Sequence, residues 1–107
     1  MPDTDFTEIA EKTLELIHEG LEEADSEYTL DMDVSDGILS VELPSGDSYV
    51  INVHHASEQI WVSSPVSGGC HFSYCEEDSE WSDSDGMELF AFLTQEFYEL
   101  AELEVRF

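Results

Sequence analysis

The sequence predicts an α+β sandwich in which two helices cover one face of an antiparallel sheet of five or six strands. Three observations predict it: the hydrophobic period is helical near both ends of the chain, it alternates in between, and turn residues separate the alternating segments. A helix, a run of strands and a second helix are typical of a two-layer fold whose other sheet face is open to solvent. We expect residues 1–107 to form one domain.

The first predicted helix, residues 4–24, has an apolar face and an acidic face. The apolar stripe follows the helical period and consists of Phe6, Ile9, Ala10, Thr13, Ile17, Leu21 and Ala24, widened by Leu14 and Leu16. The opposite face carries glutamates three or four residues apart, which we call the acidic ridge: Glu8, Glu11, Glu15, Glu19 and Glu22. Glu23 and Asp25 extend the ridge to the end of the helix.

Six strands are predicted between the helices, over residues 28–35, 38–43, 49–53, 58–63, 70–74 and 80–82. In the first strand Tyr28, Leu30, Met32 and Val34 alternate with polar residues, which predicts a half-buried strand. Residues 35–37, Ser-Asp-Gly, predict a tight hairpin turn. The third strand is nearly apolar and is therefore expected at the centre of the sheet.

The second helix is predicted over residues 86–99, with Asp83 or Asp85 as its N-cap. Its apolar side is formed by Leu89, Phe90, Leu93, Phe97 and Leu100. We expect the last residues, 104–107, to pack back along a groove of the domain.

The charge balance restricts the partners that the chain can bind. The chain has 27 acidic residues against two basic ones, and its formal net charge is −25. Binding to nucleic-acid phosphates or to anionic membranes requires clustered Lys and Arg, so neither is expected. No apolar run approaches the roughly 18 residues of a membrane helix, and the acidic N-terminus is unlike a signal or transit peptide. We expect a cytoplasmic protein, or one of the mitochondrial matrix if a longer precursor was trimmed.

The acidic ridge predicts weak binding of hard cations such as Fe²⁺, Mn²⁺, Ca²⁺ and Mg²⁺, which prefer carboxylate oxygens. Asp31 and Asp33 would join it if the first strand lies at the sheet edge beside the first helix. A ridge offers one or two carboxylates at each position, so several weak and unselective sites are expected. The alternative is a solvated helix face that binds no metal.

A soft-metal site is a second metal hypothesis, built from His71, Cys70 and Cys75 with one of two adjacent histidines. His54 and His55 point to opposite faces of an extended chain, so at most one of them could take part. Catalytic motifs are missing: the sequence contains no GxSxG, no identifiable triad and no phosphate-binding glycine loop. We therefore expect no enzymatic activity and no catalytic residues.

Residues 49–74 contain a single formally charged side chain, Glu58, within an otherwise acidic chain. Polar and aromatic residues of this stretch could project from neighbouring strands: Asn52, His54, Gln59, Trp61 and Ser63. A solvent-facing tryptophan flanked by amides is typical of a docking anchor. The alternation of the strand also allows Trp61 to point inward as a core residue.

Two segments of this stretch, residues 49–52 (YVIN) and 59–68 (QIWVSSPVSG), resemble the signature of the frataxin family, small iron-binding proteins of iron–sulfur cluster biogenesis. Asp36-Gly37-Ile38-Leu39, Trp81 and the acidic first helix also match the family pattern, and the short N-terminus resembles its bacterial, CyaY-like branch. The resemblance implies the frataxin-like sandwich. It also implies weak binding of Fe²⁺ or Fe³⁺ by carboxylates, of which these match by position: Glu11, Glu15, Glu19, Glu22, Glu23, Asp25, Asp31 and Asp33.

The resemblance further implies that Asn52, Gln59 and Trp61 bind the cysteine desulfurase and the iron–sulfur scaffold protein. The implied function is that of an iron chaperone or donor, a monomer that forms oligomers with iron. The alternative is an iron-dependent regulator of the desulfurase that acts by docking. A third hypothesis, from another class, is an acidic mimic that blocks a nucleic-acid-binding protein.

The chain departs from the family pattern at two places and in its charge. Asn52-Val53-His54 stands where Asn-Lys-Gln is usual, and Gly69-Cys70-His71 where Gly-Pro is followed by basic or aromatic residues. The excess of acids over the whole chain resembles adaptation to a salty cytoplasm.

Overall fold

The computed structural model describes residues 3–25, 29–105 and 107, with side chains from residue 6 onward. The elements, in chain order, are α1 (Asp3–Ala24), β1 (Asp31–Ser35), β2 (Ile38–Glu42), β3 (Ser48–His54), β4 (Gln59–Ser64), β5 (Gly68–Cys75), β6 (Glu80–Ser82) and α2 (Leu89–Ala101). The strands form one six-stranded antiparallel sheet in the order β1-β2-β3-β4-β5-β6. The predicted α+β class and element order are confirmed, and the sheet has six strands.

The core lies between the two helices and one face of the sheet. Alternate residues of the strands point into it, among them Leu39, Val41, Tyr49, Ile51, Ile60, Val62, Phe72 and Trp81. From α1, Phe6, Ala10, Leu14, Ile17 and Leu21 are buried against them, and from α2, Leu89, Phe92, Leu93 and Phe97. The predicted stripe of the first helix is therefore its buried face, except at Leu16, which we predicted to widen the stripe but which is 42% exposed. None of the helices in the described part of the chain is long and apolar enough to span a membrane.

A polar residue within the apolar stripe of α1 has a specific partner in the core. The Trp81 indole Nε1 donates a hydrogen bond of 3.0 Å to Thr13 Oγ1, and the Thr13 hydroxyl donates one of 2.8 Å to the carbonyl of Ile9. A buried indole N–H without an acceptor would be costly. Thr13 therefore links α1 to the far end of the sheet.

The first strand is shorter than predicted and more exposed. It begins at Asp31, and Tyr28 lies outside the described residues. Leu30 is buried and Met32 half-buried, but Val34 is 45% exposed, although we predicted it to be buried. The reason is that β1 is an edge strand with a neighbour on one side only. The hairpin turn that follows is as predicted, with positive φ at both Asp36 (50°) and Gly37 (75°).

The second helix begins at Leu89, because its N-cap is Glu88 and not Asp83 or Asp85. The Glu88 carboxylate accepts hydrogen bonds from the amides of Phe90 (2.9 Å) and Ala91 (3.2 Å). Asp83 instead accepts from the amides of residues 85 and 87 and stabilises the preceding turn. The prediction that the tail packs back is confirmed at the described residues, since Val105 is buried and Phe107 stacks on Phe90.

Candidate metal-binding and docking surfaces

The acidic ridge forms an open carboxylate surface on the outer face of α1. All five of its glutamates and the neighbouring Glu23 are exposed. One of them has a local partner: His18 Nε2 lies 3.1 Å from Glu22 Oε1. Successive ridge carboxylates are neighbours along the helix, and water reaches all of them. The ridge can therefore offer oxygen ligands to a cation, but only a few from each position.

Asp31 and Asp33 lie on the edge strand, as the metal hypothesis requires, but they do not point toward the ridge. The register pairs Met32 with Val41 and Val34 with Leu39, so these residues face the core side. Asp31 and Asp33 alternate with them and project from the other face of the sheet, where both are exposed. Of the two aspartates, only Asp31 is among the residues that line the groove between α1 and β1, together with His18 and Glu22.

The described side chains do not form a closed metal site. Among them, no three His, Cys, Asp or Glu residues lie close enough together to hold a metal ion. A tight site requires ligands that converge on one point, and the carboxylates of the ridge and of the edge strand are too far apart to do so. Any metal bound at this surface would therefore keep most of its water ligands.

Asp25 does not belong to the exposed ridge, contrary to the prediction. Its side chain is only 3% exposed. Oδ1 accepts hydrogen bonds of 2.8 Å from the amide and the hydroxyl of Thr29, and Oδ2 accepts one of 2.8 Å from the amide of Leu30. Burial by itself raises the pKa of the Asp25 carboxyl, but the three hydrogen bonds together outweigh it, so the pKa lies below its usual value. Asp25 holds the chain where it leaves α1 for the sheet.

We expect Asp25→Asn to lower the free energy of unfolding by about 1.5–3 kcal/mol at pH 7, because hydrogen bonds to a buried charge are lost. An Asp carboxyl in the unfolded chain has a pKa of about 3.9, and the pKa of Asp25 in the folded protein is lower. The stabilisation is therefore fully present above about pH 3.9 and is lost as the pH falls through the folded-state pKa. Urea unfolding at pH 7 and pH 3 measures both effects. Asp33→Asn, at an exposed carboxylate, is the control and should change stability by less than about 0.5 kcal/mol. A difference between Asp25→Asn and wild type that does not change with pH would contradict this assignment.

Trp61 lies at the centre of the open sheet face. Its neighbours in β4, Ile60 and Val62, are buried, so Trp61 points away from the core, and the register places Asn52 and His71 directly beside it. The alternative that Trp61 is a core residue is therefore excluded. Asn52, Gln59 and Trp61 come together on adjacent positions of β3 and β4, as the docking hypothesis requires.

The Trp61 ring is held between two histidines. The ring of His54 stacks on it with centroids 3.8 Å apart and an angle of 7°, and His71 stacks with centroids 4.5 Å apart and an angle of 23°. The indole Nε1 donates a hydrogen bond of 2.9 Å to Gln59 Oε1, and Gln59 Nε2 donates one of 3.1 Å to Ser73 Oγ. The orientation of the indole is thus set before any partner binds, which reduces the entropy lost on binding.

The soft-metal hypothesis does not fit the described side chains. His55 points to the opposite face from His54 and packs edge-on against Phe6 at 5.8 Å, as the alternation predicted. His71 is part of the stack on Trp61, and Cys70 packs partly against the core. Burial raises the pKa of the Cys70 thiol, and the negative charges of Glu96 and Asp83 raise it further, so the thiol is neutral at pH 7.

Glu96 of α2 is a buried carboxylate, 7% exposed, that was not predicted from the sequence. It accepts hydrogen bonds from the hydroxyls of Tyr49 (2.7 Å), Ser64 (2.6 Å) and Ser67. Burial and the adjacent Glu96 carboxylate raise the pKa of the Tyr49 hydroxyl, which stays protonated as a donor. A signal was present in the sequence: Glu96 follows Leu89 and Leu93 by seven and three residues and therefore lies on the apolar side of the helix.

Comparisons with known proteins agree on one family. Residues 1–103 match the Frataxin-like domain. The chain is 40% identical over 81 residues to the iron–sulfur cluster assembly protein CyaY of Thioalkalivibrio sulfidiphilus, covering 76% of this chain and 75% of that protein. It is 31% identical over 101 residues to the mitochondrial frataxin homolog of Schizosaccharomyces pombe, covering 91% of this chain and 64% of that protein.

Solved structures show the same architecture. The frataxin of Psychromonas ingrahamii has a TM-score of 0.86 with 24% identity over 98% of this chain and 96% of its own, which shows the shared fold. Trimeric frataxin from Saccharomyces cerevisiae, solved in complex with ferrous iron, has a TM-score of 0.73 and 32% identity over 85% of this chain and 83% of its own. The arrangement of six strands between two helices defines a frataxin-type α+β sandwich. The chain belongs to the frataxin family.

Proposed function

We propose that this protein is an iron-binding accessory protein of iron–sulfur cluster assembly that holds Fe²⁺ or Fe³⁺ weakly and supplies it as an iron chaperone or donor. The observation that carries the proposal is the run of exposed glutamates on α1 in a member of the frataxin family. The name of the CyaY relative and the ferrous complex of the yeast frataxin support it. Holding and releasing iron needs no turnover chemistry, so the proposed role is not that of an enzyme.

The proposed metal ligands are the exposed members of the predicted set: Glu11, Glu15, Glu19, Glu22, Glu23, Asp31 and Asp33. Like charges at helical spacings of three and four cost about 0.2–0.5 kcal/mol per pair. A cation between two such carboxylates removes this repulsion, and iron ions accept oxygen ligands. Because the positions are open, water completes the coordination shell and the ion exchanges readily. Asp25 is left out, since both of its oxygens already accept hydrogen bonds.

Docking to the cysteine desulfurase and the scaffold protein is the second proposed function, and the stack around Trp61 favours it. A half-exposed tryptophan, fixed by His54, His71 and Gln59 where the outward side chains of β3, β4 and β5 carry no formal charge, has the composition of an interface anchor. Docking in response to iron would make the protein a regulator of the desulfurase as well as a donor.

An anaerobic Fe²⁺ titration followed by backbone amide NMR tests the metal surface. We expect paramagnetic broadening confined to residues 11–33. Because acids occur along the whole chain, two variants are compared. The first has Glu15, Glu19 and Glu22 changed to Gln. The control has Glu76, Glu77 and Glu80, around the turn between β5 and β6, changed to Gln, and all six glutamates are exposed in wild type. The first variant should lose the broadening and the second should keep it. Broadening spread evenly over the acidic surface would refute the proposed sites.

We propose that the protein is a monomer without iron and forms oligomers when iron is bound. The trimeric form of the yeast frataxin motivates the proposal of oligomers. The proposed location is the bacterial cytoplasm, or the mitochondrial matrix for a trimmed chain, because the relatives include a bacterial and a mitochondrial protein.

A further inference from the structure

Glu96 occupies a position where a carboxylate is unfavourable. It lies on the core side of α2, among Leu93, Phe97 and Tyr49, and is 7% exposed. Burial of a carboxylate without a cationic partner costs free energy that only hydrogen bonds offset, and an apolar residue would pack there without that cost. Among the residues that the structure describes, its hydrogen-bond donors are hydroxyl groups, which supply no positive charge. Packing alone therefore does not explain a glutamate at this position.

The hydrogen bonds of Glu96 end at the turn between β4 and β5, residues 64–68. Ser64 Oγ donates to Glu96 and at the same time accepts from the amides of Val66 (3.1 Å) and Ser67 (3.0 Å). The Ser67 hydroxyl donates to the other carboxylate oxygen. The apolar residues of the turn, Pro65 and Val66, are both exposed, Val66 by 62%, and do not anchor it in the core. The Glu96 carboxylate therefore connects both ends of the turn, through the hydroxyls of Ser64 and Ser67.

The same turn borders the open sheet face around Trp61, the proposed docking surface. A small depression beside the Trp61 ring is lined by Asn52, Ser63, Gly69 and His71, among others. The last pairs of the β4–β5 ladder are Ser63 with Gly69 and Ser64 with Gly68, so one wall of the depression continues directly into the turn. A shift of the turn would change the shape of that wall.

We propose that Glu96 is a positioning residue for docking: from the opposite side of the sheet it holds the 64–68 turn so that the wall of the depression beside Trp61 keeps the shape that the partner recognises. This inference rests on the docking function proposed above. The partner is the complex of cysteine desulfurase and scaffold protein, and Glu96 does not touch it.

The test measures binding to the purified desulfurase and scaffold complex at a temperature where every variant is folded. Glu96→Ala removes all three acceptor contacts and is expected to weaken binding about tenfold. Ser67→Ala, at an exposed residue of the turn, removes one contact and should weaken binding about threefold without threatening the fold. Glu96→Gln keeps the shape and one acceptor oxygen and should restore binding to within about threefold of wild type. Leu89→Ala destabilises the same helix two turns away and should leave binding unchanged.

Amide NMR of the free protein gives a readout that does not depend on the partner. Shifts in Glu96→Ala should be largest at residues 63–69 and absent from the 36–37 turn. If Trp61→Ala abolishes binding but Glu96→Ala and Ser67→Ala bind like wild type, the inference is overturned while the docking function stands. If Leu89→Ala weakens binding as much as Glu96→Ala, general destabilisation explains the effect and the inference also fails. If wild type does not bind the complex, the docking function fails and the inference with it.

Discussion

Trp61→Ala is expected to weaken binding to the desulfurase and scaffold complex by about thirtyfold or more while the protein stays folded. The factor corresponds to the roughly 2 kcal/mol that an anchoring tryptophan contributes at an interface. Trp61 lies on the open face, and its ring contacts are to His54 and His71 on the same face. The side chains that hold the sheet to the helices, such as Ile60 and Val62, are buried on the other face and are not affected.

Calorimetric titration measures the affinity, and circular dichroism melting checks the fold. Tyr98→Ala is the matched control, since Tyr98 is an aromatic residue of α2 that is 58% exposed but lies in the helical layer. It should bind like wild type. Unchanged binding of Trp61→Ala would refute the open face as the docking surface, and equal losses for both variants would refute its specificity.

The second large effect is stabilisation by salt. Raising KCl from dilute buffer to about 1 M is expected to raise the melting temperature by roughly 5–15 °C. The net charge of −25 is confined to a molecule with a radius of gyration of 13.2 Å. The consecutive pairs of the acidic ridge alone cost about 1–2 kcal/mol in dilute buffer. At 1 M salt the screening length falls to about 3 Å, which removes most of this repulsion.

The matched control is a variant with Glu11, Glu15 and Glu19 changed to Gln, all of them exposed on α1. It should be more stable than wild type in dilute buffer and gain less from KCl. A less acidic frataxin, melted in the same series, separates screening of this charge excess from the general effect of KCl on proteins. If wild type gains no more than that homologue, the interpretation of the acids as an adaptation to a salty cytoplasm is wrong.

Periodicity alone was sufficient to predict the main elements and their buried faces. Most of the predicted stripe of α1 is buried, because the helical period places those side chains on one side whatever they pack against. The turn at Asp36 and Gly37 was predictable because both residues tolerate the positive φ that a two-residue hairpin needs. The opposite directions of His54 and His55 followed from strand alternation in the same way.

The predictions from the sequence were wrong where a neighbouring element decides whether a side chain is buried or which group it binds. Val34 has the alternation of a buried residue but lies on an edge strand. Asp25 continues the acidic pattern of the helix, yet the chain turns back over it and uses its carboxylate for three hydrogen bonds. Glu88 instead of Asp83 caps α2, because the intervening turn takes the Asp83 carboxylate for its own amides.

The sequence by itself therefore determined the class of fold and the exposed ridge of α1, since both follow from the periods of individual elements. Only the tertiary structure decided that Trp61 points outward between two histidines, that Asp31 and Asp33 project from the open face of the sheet, and that Glu96 is buried beneath the 64–68 turn. The physical reason is that a period assigns a side chain to one side of its own element. What it meets there depends on how strands and helices from distant parts of the chain pack together.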